Sequence, residues 1–444
     1  MSDQSRTMTN LNVRRFVKSG MFLLAGALVC QTLLAANIYV GSCGAPTYPT
    51  IQAAVTASTS GENIYVCPGT YPEQVTITHN VNLIGVKSGT SADVVITSPS
   101  GGVVLNAYDT YPGALPVAAQ LLVENSSNVT ITNITVDGSN NQIASCGPDL
   151  RGIYYQNASG TLNEVVTRNQ ILPGDFTGCQ AGEGIFVQSG YSSGQANVLI
   201  ENSSVHSFQK NGITVDGPGA QGRLEDNYIT GQGPTTGAAE NGVQISDGAQ
   251  GTITGNVVAN EIWALDVFGD TGDAASGILI YSSENVQIEN NTVASTQFGI
   301  VTVTDPNYGT IHNSGGVGDK TVIKSNAILD TLLYDAIDLC SDSNTVENNI
   351  LSNAGESGVH LDSSCTSAGN KNVVNSNTIT EACAGVLNGG TSNSIGNANT
   401  YNSVGTTVLT GITCSTVSVA VVGSAATAQV SKASFSSGHP TPVR

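Results

Sequence analysis

The sequence predicts an all-β parallel β-solenoid, a chain wound into stacked coils, on the strength of two repeats and its composition. The first repeat is the phrase aliphatic-x-x-Asn-x-aliphatic, with Asn169, Asn227, Asn256, Asn291, Asn326, Asn349 and Asn377 at its centre. Two further copies keep the aliphatics but put Ile134 and Ser203 in the Asn slot. An Asn that returns once per coil can bond to the Asn above and the Asn below, which makes a ladder. The second repeat is a Gly or small residue followed by alternating apolar residues. It starts at residues 152, 184, 212, 242, 277, 299, 336, 358 and 385, at separations of 22 to 37 residues. Each unit then holds about three short strands, and a single unit cannot bury its own apolar face.

The composition fits the same fold. The 444 residues include 51 Gly, with aromatic residues at 5% and charged residues at 11%. That mixture suits short strands joined by tight turns. Helical periodicity is nearly absent, and the unbroken repeat points to one elongated domain.

Export comes from the N-terminus. Arg14, Arg15 and Lys18 precede an apolar run from Met21 to Val29, and Leu34-Ala35-Ala36 supplies a cleavage site. Basic, apolar and small residues in that order predict a secretory signal peptide over 1–36, and no later segment reads as a membrane span. The solenoid is predicted over 37–415, followed by a C-terminal cap strand and disordered tail over 416–444. The expected location is secreted, periplasmic or cell-surface.

Nine cysteines less Cys30 leave eight, an even number suited to an oxidising compartment. Sequence alone leaves their connectivity open, and a solenoid favours pairing neighbours: Cys43–Cys67, Cys146–Cys179, Cys340–Cys365 and Cys383–Cys414. No Cys-x-x-Cys pair exists, which argues against a zinc ribbon or a thioredoxin-like site.

The formal charge is −19, and removing residues 1–36 takes away four Lys/Arg and one Asp to leave −22. Such a surface repels nucleic acid and anionic lipid. A polyuronate substrate would need bound Ca²⁺ to hold its carboxylates, because few cations are available. Arg151 is the one Arg directly beside a Gly-led strand.

Tyr48 to Val55 (YPTIQAAV) and Asn63 to Val75 (NIYVCPGTYPEQV) carry a family resemblance. They are similar to the opening of the pectin-lyase-like right-handed parallel β-helix proteins. The resemblance covers roughly residues 37 to 400. It implies a right-handed coil with a short amphipathic helix capping its N-terminal end, and a polysaccharide or other glycan as partner. The signatures of pectin methylesterases, polygalacturonases and pectate lyases are missing, so the resemblance supplies fold without catalytic residues.

Strand alternation locates candidate site residues instead. If the residue after each Gly points inward, the next one points out. The outward column is then Tyr154, Phe186, Thr214, Gln244, Leu279, Val301, Asp338, His360 and Leu387. A second column holds Gln156, Gln188, Asp216, Ser246, Tyr281 and Asp362. Coils about 4.8 Å apart make Asp338 and His360 stacked neighbours, with Asp362 beside them. One carboxylate would serve as acid, with the other or His360 as its basic partner. The competing expectation is a solvated polar strand face. Tyr154, Phe186 and Tyr281 would stack on sugars, and Asp216 and Gln244 would hydrogen-bond to them. Asp266, Asp270 and Asp273 share one loop and are a candidate Ca²⁺ site, against the plainer expectation of a solvated acidic loop. Two functions follow: a polysaccharide hydrolase or lyase using Asp338, His360 and Asp362, or a non-catalytic adhesive β-helix.

Overall fold

The computed structural model describes residues 37–410, apart from 89–93, 111–113, 175, 265–272, 306–317, 332 and 366–368, together with residues 441–442. The expected signal peptide, the boundary at 415/416, Cys414, Asp266 and Asp270 lie outside the described residues, as does the side chain of Asp273.

Among the described residues the strands form three long sheets of 14, 12 and 13 strands, parallel throughout except for Ala107–Tyr108, which pairs antiparallel with Pro116–Glu124 in the third. Each coil contributes one strand to each sheet in turn. Glu62–Val66, for example, pairs with Val81–Gly85 in the first sheet, and Gly69–Pro72 pairs with Val94–Thr97 in the second. Aliphatic residues line up from coil to coil: Ile64, Leu83, Ile131, Leu162, Ile200, Leu224, Ile253 and Ile288 stand in register along the first sheet. With matching columns from the other two sheets they form one continuous buried core. Apolar burial across neighbouring coils is the main driving force for stacking.

The expected cap is present. Ile51–Ala57 is helical, Thr50 caps it by accepting from Ala53 N, and Ile51, Ala54 and Val55 are buried. Glu73 places both carboxylate oxygens against the backbone N–H groups of Ile51 and Gln52, at 2.8 and 2.9 Å. Those donors have no partner inside the helix, and an anion there also complements the helix dipole.

The Asn ladder occupies the turn from the first sheet to the second. In Asn227, Asn256, Asn291, Asn326, Asn349 and Asn377, the backbone N–H and Nδ2 both donate to Oδ1 of the next Asn at 2.9 to 3.1 Å. The last acceptor is Asn399, which the sequence phrase missed. Nδ2 also donates to the previous coil's backbone, as Asn256 does to Leu224 O at 2.9 Å. The residue before each ladder Asn has positive φ, at Asp226, Gly255, Asn290, Ser325, Asn348 and Ser376. A tight corner demands that left-handed residue, and Asn, Asp, Ser and Gly adopt it at least cost.

Asn169 is a correction. Its coil carries Val165 in the ladder slot, since Val166 pairs with Ser204 in register. Asn169 lies one strand later with φ at 61° and donates to Asp137 Oδ1 at 3.0 Å. It is a left-handed turn residue that fits the phrase by chance of phase. A second, shorter ladder runs through Asn344, Asn372 and Asn393, each Oδ1 taking a backbone N–H at 2.7 to 2.8 Å.

Three of the expected disulfides form: Cys43–Cys67, Cys146–Cys179 and Cys340–Cys365, with Cα separations of 5.6, 5.6 and 5.9 Å. Cys383 is disulfide-bonded as well.

Replacing Asn256 with Leu should strand the Asn227 donors and Leu224 O in a buried turn. At about 1–3 kcal/mol per orphaned group, the expected loss is about 3 kcal/mol or more in urea denaturation. Asn169→Gly keeps the left-handed turn and should cost less than half of that. Equal losses would remove the ladder's special role.

Candidate functional site

The Gly-led strands build the third sheet, and the glycines are needed there for close approach. A Cβ on Gly184 would meet Gly212 O at 2.6 Å, and one on Gly212 would meet Gly242 O at 2.5 Å. The register is as the alternation predicts: Tyr154, Phe186, Thr214, Gln244, Leu279, Val301, Asp338, His360 and Leu387 stand in one column. They face away from the main core, because Tyr154 and Phe186 belong to one separate apolar cluster and Leu279 and Val301 to another.

The column is not open to solvent, and this corrects the expectation of a solvated polar strand face. No member is more than 6% exposed, and Asp338, His360 and Asp362 are at most 1% exposed. The outer face of the third sheet is a second interior. Polar groups placed there must find partners or change their protonation state. They gather in two centres, separated by an apolar band in which Phe298 and Tyr334 stack at 4.5 Å beside Leu279 and Val301.

The first centre surrounds Arg151. Its Nε lies 2.8 Å from Asp149 and 3.1 Å from Glu183, and Nη2 lies 3.9 Å from Asp109. The guanidinium sits over Phe186 at 3.6 Å and Tyr154 at 4.5 Å. The two rings therefore support a buried cation, and they meet edge to face at 5.7 Å. Burial disfavours the charge on Arg151, but Asp149 and Glu183 outweigh it and raise its pKa further. Burial pushes Asp109 up to about 6, against the pull of Arg151. Burial and Asp149 also hold Glu183 well above the usual carboxylate range. A chain of hydrogen bonds continues along the face. Tyr154 donates to Gln188 at 2.6 Å, Gln188 to Asp216 at 2.9 Å, and Ser246 to the other Asp216 oxygen at 2.7 Å. Asn211 and Asn241 donate to Gln244 Oε1 at 3.2 and 3.3 Å.

The second centre surrounds His360. Nδ1 lies 3.3 Å from Asp335 Oδ2 and 3.9 Å from Asp338 Oδ1, and Nε2 lies 3.8 Å from Asp362 Oδ1. Burial works against the imidazolium, but Asp335, Asp338 and Asp362 outweigh it and push His360 up to about 10. Burial and the neighbouring Asp362 hold Asp338 well above its ordinary range, although His360 pulls the other way. The Cys340–Cys365 disulfide lies against this centre, with Cys340 Sγ 3.9 Å from Asp338 and 3.6 Å from Asp362. Tyr281 lies between the centres, half-buried, and donates to Asp305 at 2.6 Å.

Sequence reasoning therefore brings Asp338, His360 and Asp362 together correctly but misses Asp335, Asp149, Glu183 and Asp109. One signal was available. The position just before each Gly-led strand reads Arg151, Glu183, Asn211, Asn241 and Ser276, and pairs in register as a polar column. Phe298, paired with Ser276, interrupts the column, and it resumes at Asp335, whose backbone O accepts from Gly299 N.

Two expectations test this electrostatic picture. Arg151→Met should cost at least about 3 kcal/mol, because it leaves buried carboxylates without their cation. Free Asp109 ionises near 3.8 and the folded one near about 6, so between those values the folded state holds the extra proton. Stability should fall as pH rises through that window, and Asp109→Asn should recover up to about 3 kcal/mol of the fall. Unfolding free energies measured across pH 4 to 6 for both proteins would check it.

Residues 119–315 and 276–403 match the family described as "Right handed beta helix region". No curated protein matches the sequence. Among solved structures, the GH136 lacto-N-biosidase from Eubacterium ramulus is similar over 85% of this chain and 68% of its own, with TM-score 0.56 and 10% identity. The catalytic domain of a GH87 alpha-1,3-glucanase in complex with nigerose gives 84% and 67%, TM-score 0.55 and 13% identity. PfbA, a surface adhesin of Streptococcus pneumoniae, gives 80% and 87%, TM-score 0.50 and 11% identity. Identities this low establish a shared fold and leave activity to the site itself. Together with the three parallel sheets and the capping helix, the match places this chain in the right-handed parallel β-helix family.

Proposed function

We propose that this is an exported β-helix that acts on polysaccharide, cleaving glycosidic bonds at Asp338, His360 and Asp362. One observation carries the reading: two carboxylates and an imidazole from adjacent coils converge on the outer face of the third sheet, within 3.9 Å of one another through His360. Asp338 is the proton donor. Among the described residues no backbone or side-chain N–H lies within hydrogen-bond distance of its carboxylate, His360 Nδ1 standing off at 3.9 Å, and the sulfur beside it belongs to a disulfide and has no proton to give. Burial without a donor favours the neutral acid. Asp338 passes its proton to the glycosidic oxygen as the C–O bond breaks. Asp362 takes a proton from the water that attacks the anomeric carbon, and exchange with solvent restores both groups. Gln244 and Asp216, further along the face, and the half-buried Tyr281 supply hydrogen bonds to the sugar chain. Tyr154 and Phe186 act indirectly, by holding Arg151. Disulfides between neighbouring coils suit an oxidising, extracytoplasmic setting. Cleavage requires this face to be uncovered when polymer binds.

A second reading has its own observation. Asp335, Asp338, His360 and Asp362 are all at most 1% exposed, as a purely structural ion cluster would be. The chain would then be a non-catalytic β-helix that binds glycan or spaces a surface.

Turnover separates them. The mature protein would be incubated with plant, algal and bacterial polymers, with and without Ca²⁺, beside a folded Asp338→Asn, Asp362→Asn double variant. Cleavage predicts new reducing ends from the wild type and a rate lower by about 100-fold or more in the variant. Unsaturated ends would reassign the reaction to elimination. Equal release by both proteins would move the site elsewhere, and no release from any polymer would favour the non-catalytic reading.

A further inference from the structure

A buried carboxylate without a hydrogen-bond donor has two ways to compensate its charge: it takes a proton or it takes a cation. The cleavage reading uses the first. The geometry around Asp338 also suits the second.

We propose that Asp335, Asp338 and His360 form a site for a divalent transition metal of the zinc class. One ligand atom from each of the three residues lies within 4.8 Å of the others. Asp335 Oδ2 and His360 Nδ1 are 3.3 Å apart, which matches the edge of about 3.3 Å expected for a tetrahedral ion with bonds of about 2.0–2.1 Å. Asp338 Oδ1, at 3.9 Å from Nδ1, closes the face with a shift of about 0.5 Å. Imidazole nitrogen with two carboxylate oxygens is a donor set for zinc, cobalt or manganese, and water would complete it.

Two features beyond the acidic cluster point to a ligand. The first is the Asp338 side chain, 1% exposed and turned into this cluster without an N–H or O–H donor among the described residues. The second is the far side of the ring. If Nδ1 takes the metal, Nε2 faces Asp362 Oδ1 at 3.8 Å. A metal-bound His usually presents its other ring nitrogen to a carboxylate, which sets the tautomer and strengthens the ligand. Cys340 and Cys365 lie alongside, but their sulfurs are joined to each other and supply no thiolate. The backbone supports the arrangement. Asp335 Oδ1 is fixed by Ser357 N at 2.9 Å and Ser357 Oγ at 2.5 Å, which leaves Oδ2 turned to the ring.

Metal uptake does not depend on the cleavage reading, but the two exclude each other at any instant. A metal on Asp338 displaces the proton that cleavage needs, so the ion would act as a reversible block on the acid.

The test starts from mature protein freed of metal by prolonged dialysis against chelator, then titrated with Co²⁺. About one equivalent should bind and show the strong visible bands of a four-coordinate site, and Zn²⁺ should bleach them. His360→Gln and Asp335→Asn should each weaken Co²⁺ binding by about 100-fold or more, whereas the remote Glu240→Gln should not change it. Thermal unfolding should shift upward with Zn²⁺ in the wild type and in Glu240→Gln, and in neither ligand variant. No uptake by folded wild type, or uptake unchanged in both ligand variants, would overturn the proposal. If a variant fails to fold, the wild-type titration alone still decides the matter. Co²⁺ uptake by a protein that cleaves no polymer supports the metal and removes the hydrolase. Cleavage by a protein that takes up no metal does the opposite.

Discussion

No coil of this molecule has an interior of its own, and every other feature depends on that. The aliphatic side chains of one coil become a core only when the next coil stands over them in register, so stacking and folding are one event. Register errors are correspondingly expensive: a slip of one residue would turn the inner column outward. The glycine column and the Asn ladder police the register from two corners. The glycines let backbones approach where a Cβ would collide with the next coil's carbonyl. The ladder gives each buried corner one acceptor that two donors of its neighbour require, and only the matching corner can provide it.

The outer face of the third sheet follows the same logic with different materials. Once that face is covered, its side chains lose water and must satisfy one another, so charge appears there in compensated groups. Arg151 is held by three carboxylates and two aromatic faces, and His360 by three carboxylates. Burial disfavours the charged carboxylates and each cation is outnumbered, so protons complete the balance and several acids sit above their ordinary range. Reactive acid–base chemistry and plain structural ion pairing begin from this same condition. Access to the face decides between them, and burial alone does not.

Much of the fold is legible because β-solenoids write their periodicity twice, in the strand alternation and in the corners. The columns containing Asp338 and His360 can be read correctly from spacing alone. Asn169 is misplaced by the phrase because two different corners both favour Asn, one for its amide and the other for its left-handed φ; a motif of six residues does not distinguish them. Asn399 escapes because its coil has lost the flanking aliphatic pattern. Asp335 and Glu183 escape because they precede the small residue that opens the strand, Ala336 or Gly184, where the strand is irregular and simple alternation stops. The burial of the outer face cannot be read at all. It depends on which segments lie across the sheet, and that is a property of tertiary contact with no local signature.

The two polar centres are mounted on a common scale. Because coils advance by about 4.8 Å each, the step from the Glu183 coil to the Asp335 coil, five registers along the sheet, is about 24 Å. A duplication or loss of one whole coil between them would change that distance by a single step and leave both centres intact, with the ladder rejoining across the cut. Descendants of this chain could therefore sample separations in discrete increments, like settings on a ruler, while changes of half a coil would be purged. The distance between the two centres is then a quantity that evolution can count.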